Sequence, residues 1–125
     1  MKRGIVLFAH GSRDPEWGEP VRKLAGILAE RDTDASVVTA FLEHLPPPLE
    51  QAVDTLAERG VNDITVVPVF IAQGGHLKQD LPRIVAAIRK THAKLSIKLA
   101  PAMGESSAVL EAMAEFASLA SRGAR

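Results

Sequence analysis

His10, Glu43 and His76 stand 33 residues apart along a chain of 125, each just beyond a short apolar run. An imidazole, a carboxylate and a second imidazole at that interval occupy the same phase of three successive structural units, which sets them on one rim. Imidazole suits cobalt, nickel, iron and zinc, so the set is competent for a divalent first-row metal. Three protein ligands leave coordination positions open for a reacting group. Neutral imidazole and carboxylate also accept protons near neutral pH. Gly11 follows His10, and Gly74 and Gly75 precede His76, so side chains are missing where a flat ligand would approach the backbone. Taken one at a time, these residues have plainer uses: a loop histidine caps or is solvated, Glu43 enters a helix, and Gly-Gly makes a turn. The joint spacing favours a shared site.

Their neighbours carry less. Adjacent residues of extended chain point to opposite sides, so His44 faces away if Glu43 faces the rim; otherwise it is a supporting group or an extra ligand. His92 follows the third helical segment, at the far end of the sheet, and reads as a cation at a helix C-terminus. Ser12 and Asp14 beside His10 invite a hydrolase with Ser12 as nucleophile. Gly-x-Ser-x-Gly is absent, however, and His10 sits too close in sequence for the usual triad base. Gly11-Ser12 is a poor phosphate cradle, because neither Gly-x-Gly-x-x-Gly nor a P-loop follows the strand, and no nucleotide is expected. Arg13, Lys78 and Arg83 are either cations for an acidic ligand or solvated charges. Leu42, Leu45, Phe70 and Ile71 form an apolar floor, a subunit contact or plain core.

The elements that must position these residues alternate. Short β-rich runs alternate with segments whose apolar residues recur at three and four, the pattern of βα units around a parallel sheet. Ile5–Ala9 is a buried strand, followed by a helical stripe at Val21, Leu24, Ala25 and Leu28 that ends near Asp32. Ser36–Phe41 is the second strand. Pro46-Pro47-Pro48 then blocks continuation and sets a helix beginning at about Pro48 or Leu49, with stripe Leu49, Ala52, Val53, Leu56 and Ala57. Gly60 suits a left-handed cap. The third strand is Ile64–Phe70, with Pro68 an awkward member because it lacks a ladder donor. Leu81, Ile84, Val85 and Ile88 mark the third helix, and Ser96–Ala100 a fourth strand. A fourth helix starts near Ser106 or Ser107, and its stripe of Val109, Ala112, Met113, Phe116, Ala117 and Ala120 is expected to bury one face. The tail from about 121 to 125 is expected to fray. The expectation is one domain over 1–125, a three-layer α/β sandwich with a four-stranded parallel sheet in the flavodoxin-like order 2-1-3-4.

Composition narrows the partners. Fifteen Lys+Arg balance fifteen Asp+Glu, which argues against a dedicated nucleic-acid binder. The chain has no Cys, which removes disulfides, thiol chemistry and an iron–sulfur cluster held by this chain alone. No run approaches a membrane span, and Met1-Lys2-Arg3 leads straight into a strand without a signal-peptide pattern, so a cytoplasmic protein is expected.

At His10-Gly-Ser-Arg-Asp-Pro15, Phe41-Leu-Glu-His44, Pro68-Val-Phe-Ile-Ala-Gln-Gly-Gly-His76 and Asp80-Leu-Pro82, the sequence resembles the CbiX/SirB group of class II tetrapyrrole chelatases. The likeness runs from about residue 4 to residue 104. It implies insertion of a divalent metal into sirohydrochlorin: cobalt toward cobalamin in the first place, iron toward siroheme or nickel as alternatives. His10 and His76 match the motif histidines that would hold the metal and accept pyrrole protons, and Glu43 matches the carboxylate that acts as ligand or proton acceptor. Ser12, Arg13, Gly74, Gly75 and Lys78 would meet the acidic tetrapyrrole. At this length the chain resembles the short, single-lobe form, which implies a homodimer. His44 departs from the apolar residue expected there, which leaves metal preference more open. The Cys motif and histidine-rich tail of some longer members are missing. From other classes, a non-catalytic metal or tetrapyrrole carrier and a small hydrolase compete with this reading.

Overall fold

The computed structural model describes residues 2–72 and 74–123, with His76 described in its backbone only. Four strands, β1 (Arg3–Ala9), β2 (Ala35–Phe41), β3 (Asp63–Pro68) and β4 (Ser96–Leu99), form one sheet in the order β2-β1-β3-β4. All three pairings are parallel, with Leu7 opposite both Thr39 and Val67. Parallel neighbours require crossovers, and each carries a helix: α1 (Glu19–Arg31), α2 (Leu49–Glu58) and α3 (Gly75–Thr91). A helix α4 (Ser107–Ser121) follows the last strand.

Alternation along β1 divides the core. Val6 and Phe8 point to the face covered by α2 and α3, where Val53, Leu56, Leu81 and Val85 are fully buried. Leu7 and Ala9 point to the other face and pack on Val21, Leu24 and Leu28 of α1. The result is the expected three-layer α/β sandwich in the expected strand order. Gly60 takes the predicted left-handed conformation after α2, at φ 81°. At the base, Arg3 donates to Asp32 at 2.7 Å, and that hydrogen bond and attraction raise the guanidinium above its ordinary pKa.

Three expectations are corrected. The third strand ends at Pro68, not Phe70: Val69 still donates to the Phe8 carbonyl at 2.8 Å, but the Phe70 carbonyl is taken by the Gly104 N–H from the turn that follows β4. Helix α3 begins at Gly75, so His76, Lys78, Gln79 and Asp80 lie in its first turns rather than in a loop. Most consequentially, α4 buries nothing: Phe116 is 67% exposed, and Leu110 and Met113 are exposed too. The stripe read from the sequence exists, but the chain leaves β4 through a 3-10 turn at Met103–Glu105 that carries α4 off the sheet. The α1 face over β3 and β4 is left partly open, with Thr65 and Val67 half-buried and Lys98 exposed. Ser121 closes α4, Arg122 and Gly123 form a turn, and the remainder of the tail lies outside the described residues. Among the described residues no helix is long and apolar enough to cross a membrane.

Leu81 is completely enclosed between α3 and the sheet. Leu81→Ala is expected to destabilise the fold by about 2–5 kcal/mol, read from urea denaturation.

Candidate metal centre

In a parallel sheet the loops beyond the carboxyl ends of the strands gather at one edge, and here they bring the candidate residues together. The first two loops are joined through their backbones. Leu42 donates to the Ala9 carbonyl at 3.0 Å, and Glu43 to the His10 carbonyl at 3.1 Å, continuing the β1–β2 pairing past the strands. Gly11 makes this possible. It sits at φ 98°, and a Cβ there would overlap the Glu43 carbonyl oxygen. The space that looked reserved for a flat ligand is therefore filled by the neighbouring backbone.

With the backbones in register, the side chains meet. His10 Nε2 lies 3.1 Å from Glu43 Oε1, a hydrogen bond in which a protonated Nε2 donates to the carboxylate. Both side chains are about half exposed, at 50% and 51%. His44 does not face away. It adopts φ 68°, and Leu45 donates back to the Glu43 carbonyl at 2.8 Å, a three-residue turn. The alternation argument fails because the chain is not extended at His44, and the turn brings His44 Nε2 to 3.7 Å from the same Glu43 oxygen. A non-glycine residue held at positive φ costs on the order of 1–3 kcal/mol, and such strain concentrates at functional sites.

His76 is the second residue of α3, and Gly74, at the N-cap, has open space where a Cβ would stand, as does Gly75. The His76 side chain lies outside the described residues, so the third member of the expected set is placed by its backbone alone. Among the described residues no three imidazole or carboxylate donors close around one point.

Ser12 has a local structural role. Its Oγ accepts from the Asp14 N–H at 3.1 Å, while the Asp14 carboxylate accepts from Glu16 N–H at 3.0 Å and caps the turn at Pro15–Gly18. The His10 ring is engaged with Glu43, so no serine–histidine pair supports the hydrolase. Arg13, Lys78 and Arg83 are exposed and form no ion pair among the described residues. Leu42 and Phe70 join the larger core cluster and Leu45 the smaller, with Phe70 edge-on to Phe8; Ile71 alone stands out, 65% exposed. His92 caps α3 and pairs with Asp54 at 2.8 Å, at the base of the sheet.

Two contacts had no signal strong enough to read in advance. Gly104 donates to the Phe70 carbonyl at 2.8 Å, and a Cβ on it would overlap the Ile71 carbonyl, so the turn before α4 is fastened to the β3–α3 loop. Glu105 accepts from the Ala102 N–H at 3.0 Å and steadies that turn.

Comparison with known proteins places this arrangement. A family model described as CbiX matches residues 4–119. The chain is 38% identical over 96 residues to the sirohydrochlorin cobaltochelatase of Methanosarcina acetivorans, a match covering 77% of this chain and 74% of that one. A CbiX protein of Marinobacter aquaeolei, ascribed to cobalamin biosynthesis, superposes with a TM-score of 0.82 at 33% identity, over 93% of this chain and 94% of that one. SirB from Bacillus subtilis, solved with Fe3+, shares the fold at a TM-score of 0.78 and 22% identity; the match covers 90% of this chain and 44% of SirB.

Gly11→Ala should destabilise the protein by at least about 1–3 kcal/mol in urea denaturation, since it adds left-handed strain and a clash with Glu43. Gly74→Ala, with ordinary φ and open space, should stay within about 0.5 kcal/mol of the wild type.

Proposed function

The chain belongs to the CbiX family, and from that membership we propose that it is a sirohydrochlorin cobaltochelatase, inserting Co2+ as its metal substrate. The observation that carries this reading is the His10–Glu43 pair at the strand ends, in a chain 38% identical to a sirohydrochlorin cobaltochelatase. Insertion replaces two pyrrole N–H protons by one divalent ion, so charge is conserved and two protons must leave. His10, Glu43 and His76 supply donors for the ion before insertion and acceptors for those protons as it enters the ring. The half exposure of His10 and Glu43 fits this task, because a macrocycle has to reach them face-on. Gly74 and Gly75, open on their outer side, and Arg13 and Lys78, which form no ion pair among the described residues, support contact with an acidic tetrapyrrole, with Ser12 shaping its own loop by accepting from the Asp14 N–H. An imidazole–carboxylate set also accepts Fe2+ or Ni2+, so iron and nickel insertion are the neighbouring readings.

We further propose that the working form is a homodimer. The apolar side of α4 and the uncovered half of the sheet support this: Val69, Phe70, Met103 and Met113 line an apolar notch of about 180 Å³ between the β3–α3 loop and α4. A second copy seated there would cover Phe116 and supply the opposite wall of the rim.

Anaerobic incubation of the purified protein with sirohydrochlorin and Co2+, followed by the pigment's absorption, tests the activity. The wild type should accelerate insertion, and His10→Ala and His76→Ala should each lower the rate by about 10²–10⁴, with Ser12→Ala lowering it far less than either. No acceleration above the uncatalysed rate would sink the enzyme reading, and stoichiometric binding without turnover would make the protein a carrier. For the assembly, Phe116→Asp should convert a dimer to a monomer in sedimentation velocity at micromolar concentration. A wild type that sediments as a monomer while fully active refutes the dimer.

A further inference from the structure

We propose that two copies of this chain exchange their last helices, so that α4 of each lies along β3 and β4 of the other, on the sheet face that α1 leaves uncovered. The inference rests on the homodimer proposed above and deepens it by assigning which element of one copy covers which surface of its partner.

The sheet lacks a helix at one place. Doubly wound sheets carry helices on both faces, yet on the α1 side of β3 and β4 Thr65 and Val67 stay half-buried beside the exposed Lys98, which is opposite Thr65 in the register. Helix α4 lacks a surface. Its first turns line the notch beside the β3–α3 loop through Val109 and Met113, and beyond them the stripe continues through Phe116, Ala117 and Ala120, all exposed. The chain's own α4 is held away from the bare face. Gly104 donates to the Phe70 carbonyl at 2.8 Å with no room for a Cβ against Ile71, and Ser106 caps the helix by accepting from the Val109 N–H at 3.4 Å, so folding back would break this turn.

The dimensions agree. Fifteen helical residues span about 22 Å with a diameter of about 10 Å. The six residues of β3 span about 20 Å, and two neighbouring strands are about 10 Å wide, so one such helix covers the bare area. Charge agrees as well. Within α4 stand Glu111 and Glu115 and no cation, whereas the bare face presents Lys98, whose side chain is 61% exposed, with its partner Asp63 largely covered at 17%. An identical element traded between identical chains forms the same contact twice and closes about a two-fold axis.

Because the chain has no Cys, introduced thiols report on this contact alone. Thr65→Cys, Ala117→Cys and the double variant are treated with a short bismaleimide at micromolar concentration and run on a denaturing gel, with sedimentation velocity on the untreated proteins. The double variant is expected to double its mass, and each single variant to stay at the mass of one chain. A double variant cross-linked within one chain overturns the exchange, since α4 then reaches its own sheet. Covalent dimers from Ala117→Cys alone overturn it too, because the two α4 helices then pair with each other. A protein that sediments as a dimer without cross-linking loses the exchange and keeps the homodimer. One that sediments as a monomer while fully active loses both.

Discussion

The close approach of Gly11 to the Glu43 carbonyl is the constraint on which the site depends. Strands β1 and β2 would diverge into separate loops at their carboxyl ends if any side chain stood at position 11. With glycine there, backbone hydrogen bonds continue from Ala9 to Leu42 and from His10 to Glu43, and the loops leave the sheet as one unit. The His10–Glu43 contact follows from that register, since the two residues are partners in a ladder extended beyond the regular strands. The turn at His44 follows as well, because the Glu43 carbonyl, already against Gly11, also accepts from Leu45. The Glu43 peptide group thus ties together Gly11, His10 and Leu45, the backbone frame in which the His10, Glu43 and His44 side chains meet.

A second constraint operates on the other side of the sheet. Helices α2 and α3 together cover most of one face, while α1 alone covers part of the other. Helix α4 has enough apolar residues to finish the layer, but Gly104 fastens the turn before it to the Phe70 carbonyl and directs the helix elsewhere. An exposed apolar helix and an incompletely covered sheet face in the same molecule are complementary deficits. Each is an unfavourable exposure of apolar surface for an isolated chain, and association would relieve both together.

The strands and the first three helices were legible because each rests on local pattern: apolar runs at Ile5–Ala9 and Ser36–Phe41, helical stripes such as Leu49 to Ala57, and punctuation by Pro48 and Gly60; the strand order came instead from the general rule of right-handed crossovers. The position of α4 was not, since a stripe says that a face is apolar and nothing about which surface covers it. The rim was legible in its spacing but not in its detail. The interval between His10 and Glu43 reports equal phase in two βα units, and the pair does meet. Alternation misplaces His44 because it assumes extended backbone, and one residue at positive φ reverses the direction of its side chain. The requirement for glycine at position 11 comes not from a flat ligand but from backbone 32 residues further along the chain, contact information that local sequence does not hold.

The openness of the rim bears on how such a site would work. A structural metal site encloses its ion with a full set of donors, and tight enclosure lowers the ground state from which the ion must depart. Here the two best-placed donors are half exposed and hydrogen-bonded to one another. An ion taken up by this pair, as proposed, would have to displace that hydrogen bond, and could be surrendered as the bond re-forms. Binding that is firm enough to collect a divalent ion and loose enough to give it up is what separates a chelatase from a storage site. In the proposed chelatase, the His10–Glu43 hydrogen bond would be the internal competitor that keeps that balance.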